Sequence, residues 1–164
     1  MKKDSELHIR RIQPGDNQSL AKIIRSALAE FGADHPGTVY FDPTTDALYE
    51  LFRIERSAYF VAEYKGEIVG GGGIFPTQGL PSNTCELVRM YLVHDVRGKG
   101  FGRSMMEQCL QCAVEFGFGK VYLESMPELK QALKIYEKFG FEYLPSPLGN
   151  TGHFGCDVWM LRKL

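Results

Sequence analysis

The chain is predicted to fold as an α/β protein in which a mixed, twisted sheet of about six to seven strands is flanked by about four helices. Three observations carry that expectation. Apolar residues alternate with period two in some segments and recur at three- and four-residue steps in others. The two patterns succeed one another as strand, two helices, three strands, helix, strand, helix, two strands. A length of 164 residues suits one hydrophobic core, so residues 1-164 are read as a single domain.

Each element has its own local signal. His8 to Ile12 alternates as a short strand does, and Pro14-Gly15-Asp16 supplies a turn and a helix start. Leu20, Ile23, Ile24, Ala27, Leu28 and Phe31 then form a helical stripe that Gly32 ends. A polar stretch from Ala33 to Pro43, placed as a substrate-facing loop, leads to a shorter helical pattern through Leu48, Leu51 and Phe52. Tyr59 to Tyr64 and Ile68 to Gly70, joined by Lys65-Gly66-Glu67, read as a hairpin. The four glycines from Gly70 to Gly73 mark either a bulge or the close approach of another backbone or a ligand. Cys85 to Val93 is a strand, and the helix that follows its glycine-rich loop carries Met106, Cys109, Ala113 and Phe116 before Gly117. Lys120 to Glu124 is strand-like, Glu128 to Phe139 is helical, and Phe141 to Leu144 and Cys156 to Arg162 complete the sheet.

Composition narrows the function. Apolar residues make up 44% and charged residues 24%, as in soluble globular domains, and no low-complexity tract suggests disorder. With 19 basic against 20 acidic residues the net charge is -1, so no overall field draws the protein to nucleic acid or to an anionic membrane. Met1 to Glu6 are polar and lead into no apolar segment, and nowhere do 18 apolar residues run together; a cytoplasmic protein is expected. Cys85, Cys109, Cys112 and Cys156 lie in core-like strand or helix patterns, and Cys109 and Cys112 fall inside a helix rather than at its start, so reduced thiols and no metal site are expected.

The strongest chemical signal is Arg97-Gly98-Lys99-Gly100-Phe101-Gly102-Arg103 at a strand-to-helix junction. Its glycines let successive N–H groups converge on one point, and its three cations suit a diphosphate. A P-loop is excluded, since Gly98-Lys99 is followed by Gly100 rather than by a hydroxyl residue that could bind magnesium. A dinucleotide fold of the NAD(P) type remains an alternative, with Glu124 as the acid about 20 residues on. Against it, the spacing is G-x-G-x-G and strands precede the loop.

These residues resemble the GNAT family of N-acetyltransferases, whose signature is Arg or Gln, two residues, Gly, one residue, then Gly or Ala. Downstream, Ala132 to Phe141 resembles the family's second signature, a helix bearing a tyrosine, here Tyr136, and ending in Gly-Phe, here Gly140-Phe141. The motifs span residues 85 to 144, and the element order agrees over essentially the whole chain. The resemblance implies a GNAT-like fold that binds acetyl-CoA and acetylates a primary amine of a small molecule or peptide. It implies that the strand from Cys85 splays from that at Lys120, that backbone groups of Tyr91, Leu92 and Val93 pair with pantetheine, and that Arg97 and the N–H groups from Gly98 to Arg103 hold the pyrophosphate. A homodimer is compatible with it, and so is a non-catalytic acyl-CoA sensor. One departure is Leu129, where many members carry an asparagine.

A lysine-like amine, with a pKa of about 10.4, is neutral in only roughly one molecule in 2,500 at pH 7, and only that form attacks a thioester. Glu86, among Cys85, Leu87 and Val88, is the candidate base, with pairing to Arg89 as the alternative reading. Tyr136 is the candidate acid for the departing thiolate, or else an ordinary aromatic of the helix stripe. No cysteine or serine stands beside a base in the motif region, so direct attack without a covalent enzyme intermediate is expected. His35, Tyr40 and Asp42, and Asn150 with His153, are candidates to line an acceptor pocket.

Overall fold

The structure, a computed structural model, describes residues 6 to 164; the polar opening at Met1 to Ser5 lies outside the described residues. Seven strands form one sheet: β1 (Leu7–Arg11), β2 (Ala58–Tyr64), β3 (Glu67–Phe75), β4 (Thr84–Leu92), β5 (Lys120–Ser125), β6 (Glu142–Leu144) and β7 (Val158–Lys163). The helices are α1 (Asn17–Glu30), the single turn α2 (Leu48–Leu51), α3 (Phe101–Glu115) and α4 (Lys130–Lys138). This is the element order the hydrophobic periodicity predicts. The spatial order is β1-β2-β3-β4-β5-β7-β6. Every neighbouring pair is antiparallel except β4 with β5, which are parallel because α3 crosses between them.

Local chemistry sets these boundaries. Lys65 and Gly66 both take positive φ, 53° and 82°, so the β2–β3 connection has the backbone twist that a two-residue hairpin needs. Helix α4 begins later than its apolar stripe suggests because Leu129, with ψ at 57°, is its N-cap. Strand β7 starts at Val158 rather than Cys156, since the Cys156 N–H turns back to the His153 carbonyl at 3.1 Å. Two cores result. Cys85, Leu87, Val121 and Leu123 pack with Met105, Met106 and Cys109 of α3 on one face. Val61, Val88 and Tyr59 pack with Leu20, Ile24 and Leu28 of α1 on the other.

The four glycines lie within β3, which runs to Phe75 rather than ending at Gly70. Between the pairs Gly71 with Tyr91 and Gly73 with Val88, β4 carries one residue more than β3, a β-bulge whose Arg89 has φ 51°. Tyr59 lies over the glycines from β2, and its hydroxyl donates to the Arg89 carbonyl at 2.8 Å. A Cβ on Gly71 would stand 2.5 Å from Tyr59 Cε1 and 2.7 Å from the Phe60 carbonyl, so the glycines admit neighbouring protein atoms. Gly71→Ala is expected to lose about 1–3 kcal/mol of stability through this overlap, read as a lower urea midpoint at unchanged slope.

Candidate active site

Strand β4 pairs with β5 only through Thr84, Cys85 and Glu86, opposite Lys120, Val121 and Tyr122. Beyond Glu86 the strands part, while β5 continues to pair with β7 as far as Ser125. A cleft of about 650 Å³ opens against the free end of β4. Met90, Tyr91 and Leu92 form one wall, and Leu129, Ala132, Ile135 and Tyr136 of α4 form another. Arg97, Gly98, Gly100, Gly102 and Arg103 close one end.

The glycine-rich loop is built as an anion cradle. Gly98 and Gly100 have φ of 77° and 85°, which glycine adopts without steric cost. Ser104 is the first residue near the start of α3 whose N–H finds a helical carbonyl, that of Gly100 at 3.2 Å. The N–H groups from Gly98 to Arg103 therefore have no protein acceptor among the described residues, and they lie at the positive end of a 15-residue helix.

The expected cofactor residues divide. Tyr91, Leu92, Arg97, Gly98, Gly100, Gly102 and Arg103 line the cleft, whereas Val93, Lys99 and Phe101 do not. The Val93 N–H donates to Val69 at 2.9 Å and its carbonyl accepts from Val96 at 3.3 Å, so both its backbone groups are engaged. The Phe101 ring is 9% exposed in the α3 core, leaving only its N–H for a ligand. The Arg97 guanidinium has protein partners. It donates twice to the Leu92 carbonyl, at 3.0 and 2.9 Å, pairs with Glu30 and stacks on Phe31 at 5.0 Å. Arg97 thereby fastens the loop to the end of β4. Lys138 and Gln131 also line the cleft and were not singled out by sequence; Gln131 brings a side-chain amide near Leu129.

Glu86, 4% exposed, lies where the strands part. Its partner is not Arg89: Oε1 accepts from the Thr77 hydroxyl at 2.6 Å. Burial raises its pKa to about 7, the Thr77 bond opposing and the nearby Glu124 carboxylate adding to the rise. Arg89 instead donates to Asp42 Oδ2 at 3.1 Å and Thr44 Oγ1 at 2.8 Å. Tyr136 is half-buried on the cleft wall, and desolvation pushes its phenol up to about 12. All four cysteines are free and buried, and desolvation pushes Cys85 and Cys156 to about 12, which keeps them protonated.

Asp42 and His153, expected in two separate loops, meet: Asp42 Oδ2 lies 2.8 Å from His153 Nε2. That bond above all holds the Asp42 carboxyl well below the usual carboxylate range. The same loops touch through Gly37 and Gly155, where the Gly155 N–H donates to the Gly37 carbonyl at 2.8 Å. Glu124, the acid of the dinucleotide alternative, is not on the cleft; it accepts from Tyr122 at 2.8 Å and from Thr151. Sequence spacing gave no sign that Glu86, Glu124 and His153 would come together, yet one ligand atom from each lies within 4.8 Å of the others. Among the described residues no helix is long and apolar enough to cross a membrane.

Residues 21–141 match the model of the acetyltransferase (GNAT) family. The uncharacterised N-acetyltransferase YjgM of Escherichia coli is 44% identical over 158 residues, covering 95% of this chain and 94% of that protein. An acetyltransferase of the GNAT family from Staphylococcus aureus superposes with a TM-score of 0.84 at 17% identity, over 96% of this chain and 98% of that one. The yncA acetyltransferase from Salmonella typhimurium, solved with its cofactor acetyl-CoA, superposes with a TM-score of 0.74 at 20% identity, over 96% and 94%. The splayed strands, the amide cradle and these likenesses agree, and the chain belongs to the acetyltransferase (GNAT) family.

Proposed function

We propose that the protein transfers an acetyl group from acetyl-CoA to a primary amine by direct attack. The observation that carries this reading is the cleft along the end of β4 that has left β5, closed by a run of amide N–H groups without protein acceptors among the described residues, Gly98 to Arg103. A pyrophosphate suits the amide end, and an extended amide-bearing chain suits the open edge of a strand. The family and the acetyl-CoA bound to the Salmonella relative support the same donor.

The residues of this chain divide the work. Gly98, Gly100 and Gly102, with the N–H groups of Lys99, Phe101 and Arg103, hold the pyrophosphate, while the Arg103 side chain lies at the rim. Tyr91 and Leu92 offer β4 backbone to pantetheine; the engagement of Val93 with Val69 and Val96 leaves its contribution to strand geometry. Glu86, with a pKa near 7, takes the proton of the acceptor amine, directly or through a water. Tyr136 faces the same cleft and returns a proton to the departing thiolate. The protonated, buried cysteines suit transfer without an acyl-enzyme. A fold that only senses acyl-CoA needs neither Glu86 nor Tyr136.

Gly100→Val forces a β-branched residue into φ 85° and is expected to weaken acetyl-CoA binding at least about tenfold in calorimetric titration. NAD binding in place of acetyl-CoA would favour the dinucleotide alternative. The acetylation rate is expected to rise with pH through about 7 as Glu86 loses its proton. Glu86→Gln is expected to abolish that rise and lower kcat/KM by about 10²–10⁴-fold; an unchanged profile would remove Glu86 as the base. Tyr136→Phe is expected to lower kcat on the order of 10²-fold with acetyl-CoA affinity retained, and full turnover would remove it as the acid.

A further inference from the structure

On the α1 face of the sheet, behind the point where β4 and β5 part, the carboxylates of Glu86 and Glu124 and the imidazole of His153 converge, one ligand atom of each within 4.8 Å of the others. Each carboxylate is fixed from outside the group: Glu86 by the Thr77 hydroxyl, Glu124 by the hydroxyls of Tyr122 and Thr151. The other oxygen of Glu86, Oε2, has no protein donor among the described residues. His153 Nε2 lies 2.8 Å from Asp42 Oδ2, a bond that places a ring proton on Nε2 and leaves Nδ1 on the side of Glu124. Nδ1 stands 3.9 Å from Glu124 Oε1, too far for a hydrogen bond. The side chains of Glu124 and His153 are 6% and 13% exposed.

Such a group calls for a cation. Three acceptors about 2.9 Å from one ammonium nitrogen stand up to about 4.7 Å apart, which the observed spread accommodates. Zinc ligands at about 2.1 Å stand roughly 3.4 Å apart, so the 3.9 Å pair would have to close by about 0.5 Å to hold that metal. The charge around the group also tells against an anionic neighbour. Arg89 is the cation beside it, and its buried guanidinium is committed to Asp42 and Thr44. A substrate carboxylate here would face the carboxylates of Glu86 and Glu124.

We propose that Glu124 and His153 join Glu86 in cradling the acceptor's ammonium group, and that the acceptor is an alkylamine or diamine with no carboxylate beside its reacting amine. This rests on the acetyltransferase reading and narrows it: α-amino acids are disfavoured as acceptors. Glu124 and His153 bind and position the amine, and Glu86 removes its proton.

The test compares amines with their carboxylated counterparts: tyramine with tyrosine, isoamylamine with leucine, and agmatine with arginine. Thiol release gives kcat and KM, and calorimetry gives amine binding to the CoA-loaded protein. At least one amine is expected to bind and to exceed its amino acid by about 100-fold in kcat/KM. Glu124→Gln and His153→Gln are each expected to raise the KM of that amine about 10- to 100-fold, more than they lower kcat, with acetyl-CoA affinity retained as proof of folding. Amino acids used as well as their amines, an unchanged KM in both variants, or binding of none of the amines would overturn the proposal. So would zinc binding that Glu124→Gln abolishes while no amine binds. Acetyl-CoA titrated into the same preparation tests the donor reading separately, because a folded protein that binds acetyl-CoA and no amine loses only the cradle.

Discussion

Parallel pairing holds β4 to β5 through Thr84, Cys85 and Glu86, and then the strands separate. Much of the site depends on that separation. It frees one edge of β4, makes room for α4 to supply a second wall, and leaves Glu86 buried at the vertex with a raised pKa. The Arg89 bulge works with it. An extra residue resets the alternation, so that Val88 and Tyr91 pack toward α1 while Leu87, Met90 and Leu92 pack toward α3.

The separation also divides the labour of the two sheet faces. Between the free end of β4 and α4, with Ala27 and Phe31 at the end of α1 also lining it, lies a largely apolar cleft that ends in backbone amides, suited to a long ligand with a charged terminus. Toward α1 lies a small polar chamber of carboxylates and one imidazole. Glu86 belongs to the second and does not line the first, whereas Tyr136 lines the first.

Much of this was legible in the sequence because it rests on local patterns. The order of seven strands and four helices follows from periodicity, and the amide cradle follows from glycines placed where a strand gives way to a helix. The tetraglycine run was legible only as a choice between bulge and close approach, and the structure shows both: β3 carries an extra residue at Val69 just before the run, β4 one opposite it, and Tyr59 and Met90 approach the glycines closely. The partners of Arg97 were not legible, since nothing in its neighbours' identities reveals that its guanidinium meets the Leu92 carbonyl and Phe31. The Asp42–His153 bond joins residues 111 positions apart, and Glu124 meets them only once the sheet has formed. Contacts of that range follow from topology, which composition and spacing do not encode.

The contact between Gly37 and Gly155 carries a consequence for how such a protein can diversify. A side chain on Gly37 would collide with the Gly155 backbone, and one on Gly155 would stand 2.5 Å from the Pro36 carbonyl. Neither glycine can take a side chain without displacing the opposite loop, which carries one partner of the Asp42–His153 bond. Loop swaps between relatives would then succeed best as matched pairs, because the two segments, more than 100 residues apart in the chain, are shaped against each other.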